Sequence, residues 1–235
     1  MTAPDRPASF LPGLSAALVA MVVLLGGWSG ARASVSSIGF SAARLKYGGG
    51  GDWYSNPSSL ANLQKAVHDR TSIPVQGEDE IKVSLGDDTL FNYPLLYMNG
   101  HGEVKFTEAE LEMLRRYLEG GGFLWADDNY GMDKSFRREM RRLYPESPLV
   151  ELPFDHPIYH SFYHLPAGLP KIHEHDGKPA QGYGIFRNGR LVAFYSYESD
   201  IGDGLEDAEV HGDKAEVREL ALRMAINVVV YVMTN

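Results

Sequence analysis

At 235 residues, with 44% hydrophobic and 23% charged side chains, the chain has the make-up of one globular domain, not of a disordered or fibrous protein. Its formal net charge of −9 argues against nucleic acid or anionic lipid as the partner. The lack of any cysteine excludes disulfides, thiolate metal sites, a cysteine nucleophile and a lipoprotein anchor together.

Residues 1–33 read as a secretory signal. Asp5 and Arg6 precede the uncharged run LPGLSAALVAMVVLLGGWSG, and Ala31-Arg32-Ala33 supplies a small-residue exit. Cleavage near Ala33 makes residues 34–235 a single periplasmic or secreted α/β domain without a membrane span. The alternative is an N-terminal membrane anchor, because the run is long enough to cross a bilayer. Pro12, Gly13 and the Gly26-Gly27 pair interrupt it and favour the signal, and no Arg-Arg pair directs the chain to the twin-arginine route.

Strands and helices then alternate. A first strand is expected over residues 38–46, closed by four glycines, Gly48 to Gly51. A helix is predicted to begin at Asn56-Pro57, with Asn56 as cap and Leu60, Leu63 and Val67 on one face. Residues 81–85 form a short strand, and residues 93–98 (YPLLYM) have the apolar length of a buried one. Thr107 and Glu110 spell a capping box for a helix with the stripe Leu111, Leu114 and Leu118. The strand over residues 123–126 delivers Asp127-Asp128-Asn129, after which Asp133 caps a helix carrying Phe136, Met140 and Leu143. Residues 155–179, rich in His and Pro, read as a long functional loop. Arg187-Asn188-Gly189-Arg190 signals a hairpin, and a last helix is expected from Asp213 to Tyr231, with Asn227 as a satisfied buried amide. The order implies a mostly parallel, doubly wound sheet with the hairpin at an antiparallel edge.

In such a sheet ligands bind beyond the carboxyl ends of the strands. Three segments with chemistry fall there. Gly49 and Gly50, with Asp52, Trp53 and Tyr54, offer backbone N–H groups for an anion or a mobile turn over a packed aromatic; the segment is neither a P-loop nor a G-x-G-x-x-G fingerprint. His101, between Gly100 and Gly102, is placed to act as base, donor or metal ligand, or to cap the next helix. Asp127 and Asp128 invite a cation or general acid/base chemistry through mutual repulsion, with Asn129, Asp133 and Arg137 nearby; a turn cap paired with Arg137 is the plainer reading.

Five of the eight histidines lie between His156 and His175. His156, His160 and His164 recur every four residues, His173 and His175 are spaced by two, and imidazole with carboxylate suits zinc, iron or nickel. No H-E-x-x-H spacing occurs, so a polar lid competes with a metal site, and the sequence names neither a metal nor a cofactor. G-x-S-x-G is absent, which leaves an esterase-type nucleophile unsupported.

The runs YGGGGDWYSNPSSLANL, MNGHGEVKFTEAELEMLRRYLEGGGFLWADDNYGMDKSFRREM and LPFDHPIYHSFY resemble the domain-of-unknown-function family 4159, bacterial proteins that usually carry an export signal. The likeness extends from about Phe40 to Tyr231. It implies a class I glutamine amidotransferase-like superfamily fold, a flavodoxin-like three-layer sandwich, in which residues 125–130 correspond to the elbow that holds the amidotransferase cysteine. Without that cysteine the thioester route to glutamine hydrolysis is closed. The family's genes often lie near MoxR-type ATPases and von Willebrand factor A proteins, which points to such an envelope system as partner.

Two functions stay open. One is a non-catalytic module binding an unknown small molecule or an envelope protein. The other is an Asp/His-dependent, metal-assisted or metal-free hydrolase of a carbohydrate or amide-bearing envelope substrate, with Asp127 or Asp128 as base, His101 assisting, and Asp52, Asn129, Arg137 and His156 shaping the pocket.

Overall fold

The chain runs β1 (Ala42–Leu45), α1 (Ser59–Arg70), β2 (Ile81–Val83), β3 (Leu95–Gly100), α2 (Glu108–Glu119), β4 (Phe123–Asp128), α3 (Asp133–Leu143), β5 (Val150–Glu151), β6 (Gln181–Arg187), β7 (Arg190–Tyr197), α4 (Ile201–Leu205), α5 (Ala208–His211) and α6 (Ala215–Thr234). The computed structural model describes residues 39–77 and 79–235, within the unit that extends from Ser36 to Asn235. The signal segment and its cleavage point near Ala33 lie outside the described residues.

Alternation along β3 and β4 sets the layers. Leu95, Tyr97, Phe123 and Trp125 pack into one hydrophobic cluster; Leu96, Met98, Leu124 and Ala126 pack into a second. Strands buried on both faces read as continuous apolar runs, which is why residues 93–98 show no period of two. The first cluster is closed by Leu60, Leu63 and Val67 of α1, Ile201 and Leu205 of α4, and Met224 and Val228 of α6. The second is closed by Leu111, Leu114 and Leu118 of α2 and Phe136, Met140 and Leu143 of α3. Each such side chain, fully buried, contributes roughly 1.5–3 kcal/mol. The result is a three-layer α/β sandwich.

The sheet has seven strands in the order β2-β1-β3-β4-β7-β6-β5. The first five are mutually parallel, and β6 runs antiparallel to both β7 and β5. With β7 counted fifth, the parallel strands follow the flavodoxin-like order 2-1-3-4-5, whose switch point lies between β1 and β3. The hairpin therefore differs from a simple edge: its second strand is interior, paired with β4 from Leu124↔Ala193 to Asp127↔Ser196. The carboxyl end of β7 thus joins those of β1, β3 and β4.

Local signals hold where they are strongest. Thr107 caps α2 by accepting from the Glu110 N–H, while the Glu110 carboxylate accepts from the Thr107 N–H, a closed capping box. Asn227 on α6 accepts from the Phe162 and Tyr163 N–H groups at 3.0 and 2.7 Å and donates to the Tyr163 carbonyl at 2.8 Å. Two expected caps change: α1 starts at Ser59 and Asn56 does not cap it, and Asp133 is the first residue of α3, which follows Met132. Asn56 takes φ 56°, donates to Asp203 and accepts from Asn129 Nδ2 through the oxygen that a cap would need.

Candidate functional site

The loops after β1 and β3 meet at the switch point and zip together. Gly51 N–H donates to the Glu103 carbonyl at 3.0 Å, Asp52 N–H to that of His101 at 3.2 Å, and Lys105 N–H to that of Gly48 at 2.9 Å. These bonds commit the N–H groups of Gly51 and Asp52 to the neighbouring loop. Gly49 itself packs against the Glu103 and Lys105 backbone, Trp53 lies under Lys46, and Tyr54 is exposed.

The zip creates a dyad. Asp52 accepts from the His101 backbone N–H and, through Oδ2, from His101 Nδ1 at 3.0 Å. A carboxylate only accepts, so the proton of the second bond sits on Nδ1 and leaves Nε2 with its lone pair. Gly100 between them takes φ 138°; a Cβ there would collide with the Tyr47 hydroxyl and come within 2.9 Å of Asp52 Oδ1.

Asp127 and Asp128 continue the alternation of β4 and point to opposite sides. Asp127, fully buried, accepts from Ser196 Oγ, from Gly202 N–H at 2.6 Å and from Ile201 N–H at 3.3 Å, with the Tyr97 hydroxyl at 3.4 Å. It holds the turn between β7 and α4. Burial first, and then the charge of Asp200, push its carboxyl up to about 7. Asp128 accepts from Tyr130 N–H at 3.2 Å and meets the Tyr195 hydroxyl; burial pushes it up to about 6. The expected mutual repulsion is not the cause of either shift, because the two carboxyls are separated by the sheet.

A cavity of about 580 Å³ opens beyond these strand ends. His101 lines it from the β3 loop and Asn129 and Tyr130 from the β4 loop, with His173, Glu174, His175 and Asp200 completing the wall. Tyr130 takes φ 98° in the strand-to-helix turn and sets its ring edge-on to His175, 5.3 Å between centroids. Asp128 and Asp133 line a neighbouring hollow of about 260 Å³ that shares Tyr130. A separate cavity of about 350 Å³ at the amino ends of the strands, around Phe91, Tyr93 and Tyr117, contains no acid or base beyond the tyrosines.

The richest chemistry lies where the acidic residues after β7, which the sequence does not mark as a site, meet His173 and His175 of the histidine-rich loop. Asp200, in the left-handed conformation with φ 66°, accepts from His175 Nε2 at 3.0 Å and lies 3.4 Å from His173 Nδ1. His173 Nδ1 is also 2.8 Å from Asp203 Oδ2, and its Nε2 is 2.8 Å from Asp213 Oδ1. Hydrogen bonding to Asp200, and to Asp213 behind it, pushes His173 up to about 10. Burial would raise Asp200, but the two imidazoles outweigh it and hold the carboxylate below its ordinary range. Asp203 is raised, by burial and then by Asp200. Its Oδ1 accepts from Asn56 Nδ2 at 2.7 Å and Asn129 Nδ2 at 3.1 Å. Beneath them the buried Arg44 contacts Glu80 and Asn99 and donates to the Asn56 carbonyl at 2.8 Å and Ser59 Oγ at 3.0 Å. Asn129 Oδ1, His175 Nδ1 and Asp200 Oδ1 are buried without a hydrogen-bond partner.

The remaining expected residues stand apart. His156 packs on Tyr231 and Phe186, where burial lowers its pKa, and its Nδ1 accepts from Ile158 N–H. His160 and His164 pair with each other on the surface. Arg137 binds Asp133 at 2.6 Å and lies over the Tyr183 ring. The structure thus places His101 and Asn129 in the cavity wall with Asp52 bonded to His101, leaves Asp127 beneath it, and sets Asp128, Asp133 and Arg137 on its flank.

The profile of the family described as Domain of unknown function (DUF4159) matches residues 41–233. The chain belongs to that family. No curated protein matches it. Members are thus recognised by a span that covers every strand and every residue of the cleft described above, from β1 to α6.

Proposed function

We propose that the protein is an exported module of the cell envelope, periplasmic or secreted after cleavage near Ala33, that binds a small polar ligand in the carboxyl-edge cleft. The observation that carries this reading is the cavity itself. About 580 Å³ is the size of a small-molecule site, and the polar groups of four separate chain segments converge on it. Three of them, Asn129 Oδ1, His175 Nδ1 and Asp200 Oδ1, are buried with hydrogen-bonding capacity unused, which is costly unless a ligand or water uses it. No helix of the described residues is long and apolar enough to cross a membrane; an N-terminal anchor is the alternative form of attachment.

Placement in the class I glutamine amidotransferase-like superfamily is part of this proposal. It is supported by the 2-1-3-4-5 order and by the strained turn at Tyr130, a strand-to-helix elbow of the kind that presents nucleophiles in other α/β enzymes. An envelope system with a MoxR-type ATPase and von Willebrand factor A proteins is the partner this placement suggests, by analogy alone.

The Asp52–His101 dyad favours a second reading, an Asp/His-dependent hydrolase in which His101 Nε2 takes a proton from water. One experiment separates the two. The purified protein is screened by thermal shift against amino acids, carboxamides and sugars, and each hit is repeated on His175→Ala and on His101→Ala. A binding module gives hits that vanish in His175→Ala and are never turned over. A hydrolase turns over its hit and loses turnover, but not binding, in His101→Ala. Hits that persist unchanged in both variants would remove the cleft from the proposal. N-terminal sequencing of the exported protein checks the cleavage point.

A further inference from the structure

Beside the cleft, His173, Asp203 and His211 turn their side chains to a common point. His173 Nδ1 is 2.8 Å and His211 Nδ1 3.5 Å from the same oxygen, Asp203 Oδ2, and the three donor atoms all lie within 4.8 Å of one another. Ligands held at 2.0–2.2 Å from a tetrahedral ion sit roughly 3–3.5 Å apart, so little movement separates this arrangement from a coordination shell. The two imidazoles meet edge-on, 5.3 Å between centroids.

The surroundings are those of a ligand set. His173 Nε2 rests on Asp213 Oδ1, the carboxylate behind a ligating imidazole that fixes its orientation. Asp203 Oδ1 is anchored by the amides of Asn56 and Asn129, which leaves Oδ2 as the free arm. The independent observation is Asp200. It is 3% exposed, one of its oxygens lies 3.4 Å from His173 Nδ1, and the other is buried with no partner at all. Three carboxylates, Asp200, Asp203 and Asp213, therefore crowd one imidazole, and a divalent ion is what balances them. His173 and His211 keep about a quarter of their side chains exposed, 27% and 29%, so an ion can enter from solvent.

We propose that His173, Asp203 and His211 bind a divalent transition metal, with Asp200 or water in the fourth position. Two nitrogens and one carboxylate oxygen suit zinc, iron or nickel over calcium or magnesium, and zinc is the first probe. The site shares His173 with the cleft, but its existence does not depend on what the cleft binds.

The test is calorimetric titration of the chelator-stripped protein with zinc chloride, alongside cobalt(II) titration read by its visible absorption. The expected result is one equivalent bound, with tetrahedral cobalt bands. His211→Ala, an exposed position that the fold does not need, and Asp203→Asn should each lower affinity at least tenfold, and Asp213→Asn roughly 10–100-fold as an outer-shell partner. His160→Ala/His164→Ala removes the surface histidine pair and should change nothing. Absence of binding overturns the proposal, and leaves a proton-bridged ion-pair network in its place. Equal affinity in His211→Ala and Asp203→Asn, or loss in the His160/His164 variant, overturns it as well by placing the metal elsewhere.

Discussion

Asp127 and Asp128 are neighbours in sequence and lie on opposite faces of the sheet: Asp127 beside Tyr97 under α4, Asp128 beside Tyr195 at the start of α3. Strand geometry imposes this, since successive side chains alternate. The two carboxyls consequently have separate jobs and titrate for separate reasons.

Asp127 gives a pH prediction. Its folded pKa of about 7 lies above its ordinary value of 3.8, so the fold favours the protonated form. Stability from this group is fully present below pH 3.8 and is lost as pH rises through 7. In urea denaturation, the stability of the wild type relative to Asp127→Asn should decline between pH 4 and pH 8. A constant difference would show that Asp127 is ionised throughout in the folded state.

The polar contacts of Asp127 predict a second cost. Asp127→Ala strands the Gly202 and Ile201 N–H groups in the interior, at about 1–3 kcal/mol for each group left unpaired, while Ser196 Oγ keeps the Ala126 carbonyl at 3.2 Å. The loss should exceed that of Asp128→Ala, which takes the acceptor from the Tyr130 N–H but leaves the Tyr195 hydroxyl its bond to Asp133. Equal urea midpoints for the two variants would refute the assignment.

Gly100→Ala and Gly202→Ala test the close approaches around the cleft. A Cβ at Gly202 would lie 2.5 Å from Asn56 Nδ2 and 2.6 Å from the Tyr97 hydroxyl, and one at Gly100 would strike Tyr47 in a left-handed backbone. Overpacking of this kind costs about 1–3 kcal/mol. Both variants should melt earlier than Gly50→Ala, whose Cβ meets nothing within 4 Å although its φ of 91° is equally left-handed. Melting of Gly100→Ala together with Gly50→Ala would mean that backbone strain alone sets the cost at Gly100, whereas Gly202, outside the left-handed region, tests the close contact by itself.

The Asp52–His101 pair predicts a tautomer. Nitrogen NMR at pH above the imidazole transition should show His101 protonated at Nδ1, and Asp52→Ala should shift it toward the Nε2 form. Because the pair is well exposed, its removal should change stability by less than ~1 kcal/mol. A His101 already in the Nε2 form in the wild type would refute the dyad.

Arg44 should tolerate no replacement. Arg44→Met leaves Asn99 Oδ1 without its donor and Glu80 with Lys82 as its remaining partner, at about 1–3 kcal/mol for the buried group left unpaired. Arg44→Lys keeps the charge but not the fork that reaches Glu80, Asn56, Asn99 and Ser59, so it should recover less than half of the loss in a thermal melt. Full rescue by lysine would reduce the role of Arg44 to its charge.

Much of this arrangement is legible in the amino-acid sequence. Thr107 and Glu110 announce α2, the apolar runs before Asn99 and Asp127 announce two central strands, and His101 and Asn129 follow directly as strand-end residues. The period of two that carries Leu124 and Ala126 away from Phe123 and Trp125 also separates Asp127 from Asp128, and could have been read in advance. Asp200 and Asp203 were hidden for a topological reason. A hairpin strand reads as an edge, and only the parallel pairing of β7 with β4 carries the acidic run after Tyr197 to the cleft. His173 is legible as part of the histidine-rich loop, but His211 was hidden because no regular spacing joins a loop residue to one at the end of a short helix.

The interior position of β7 also bears on biosynthesis. A chain emerging from the ribosome completes β3 and β4 long before Arg190 is made, so the apolar strand Phe123–Asp128 waits with one row of backbone hydrogen-bonding groups open. An unpaired edge of that kind recruits other strands. Until β7 docks, that edge is open to pairing with other strands.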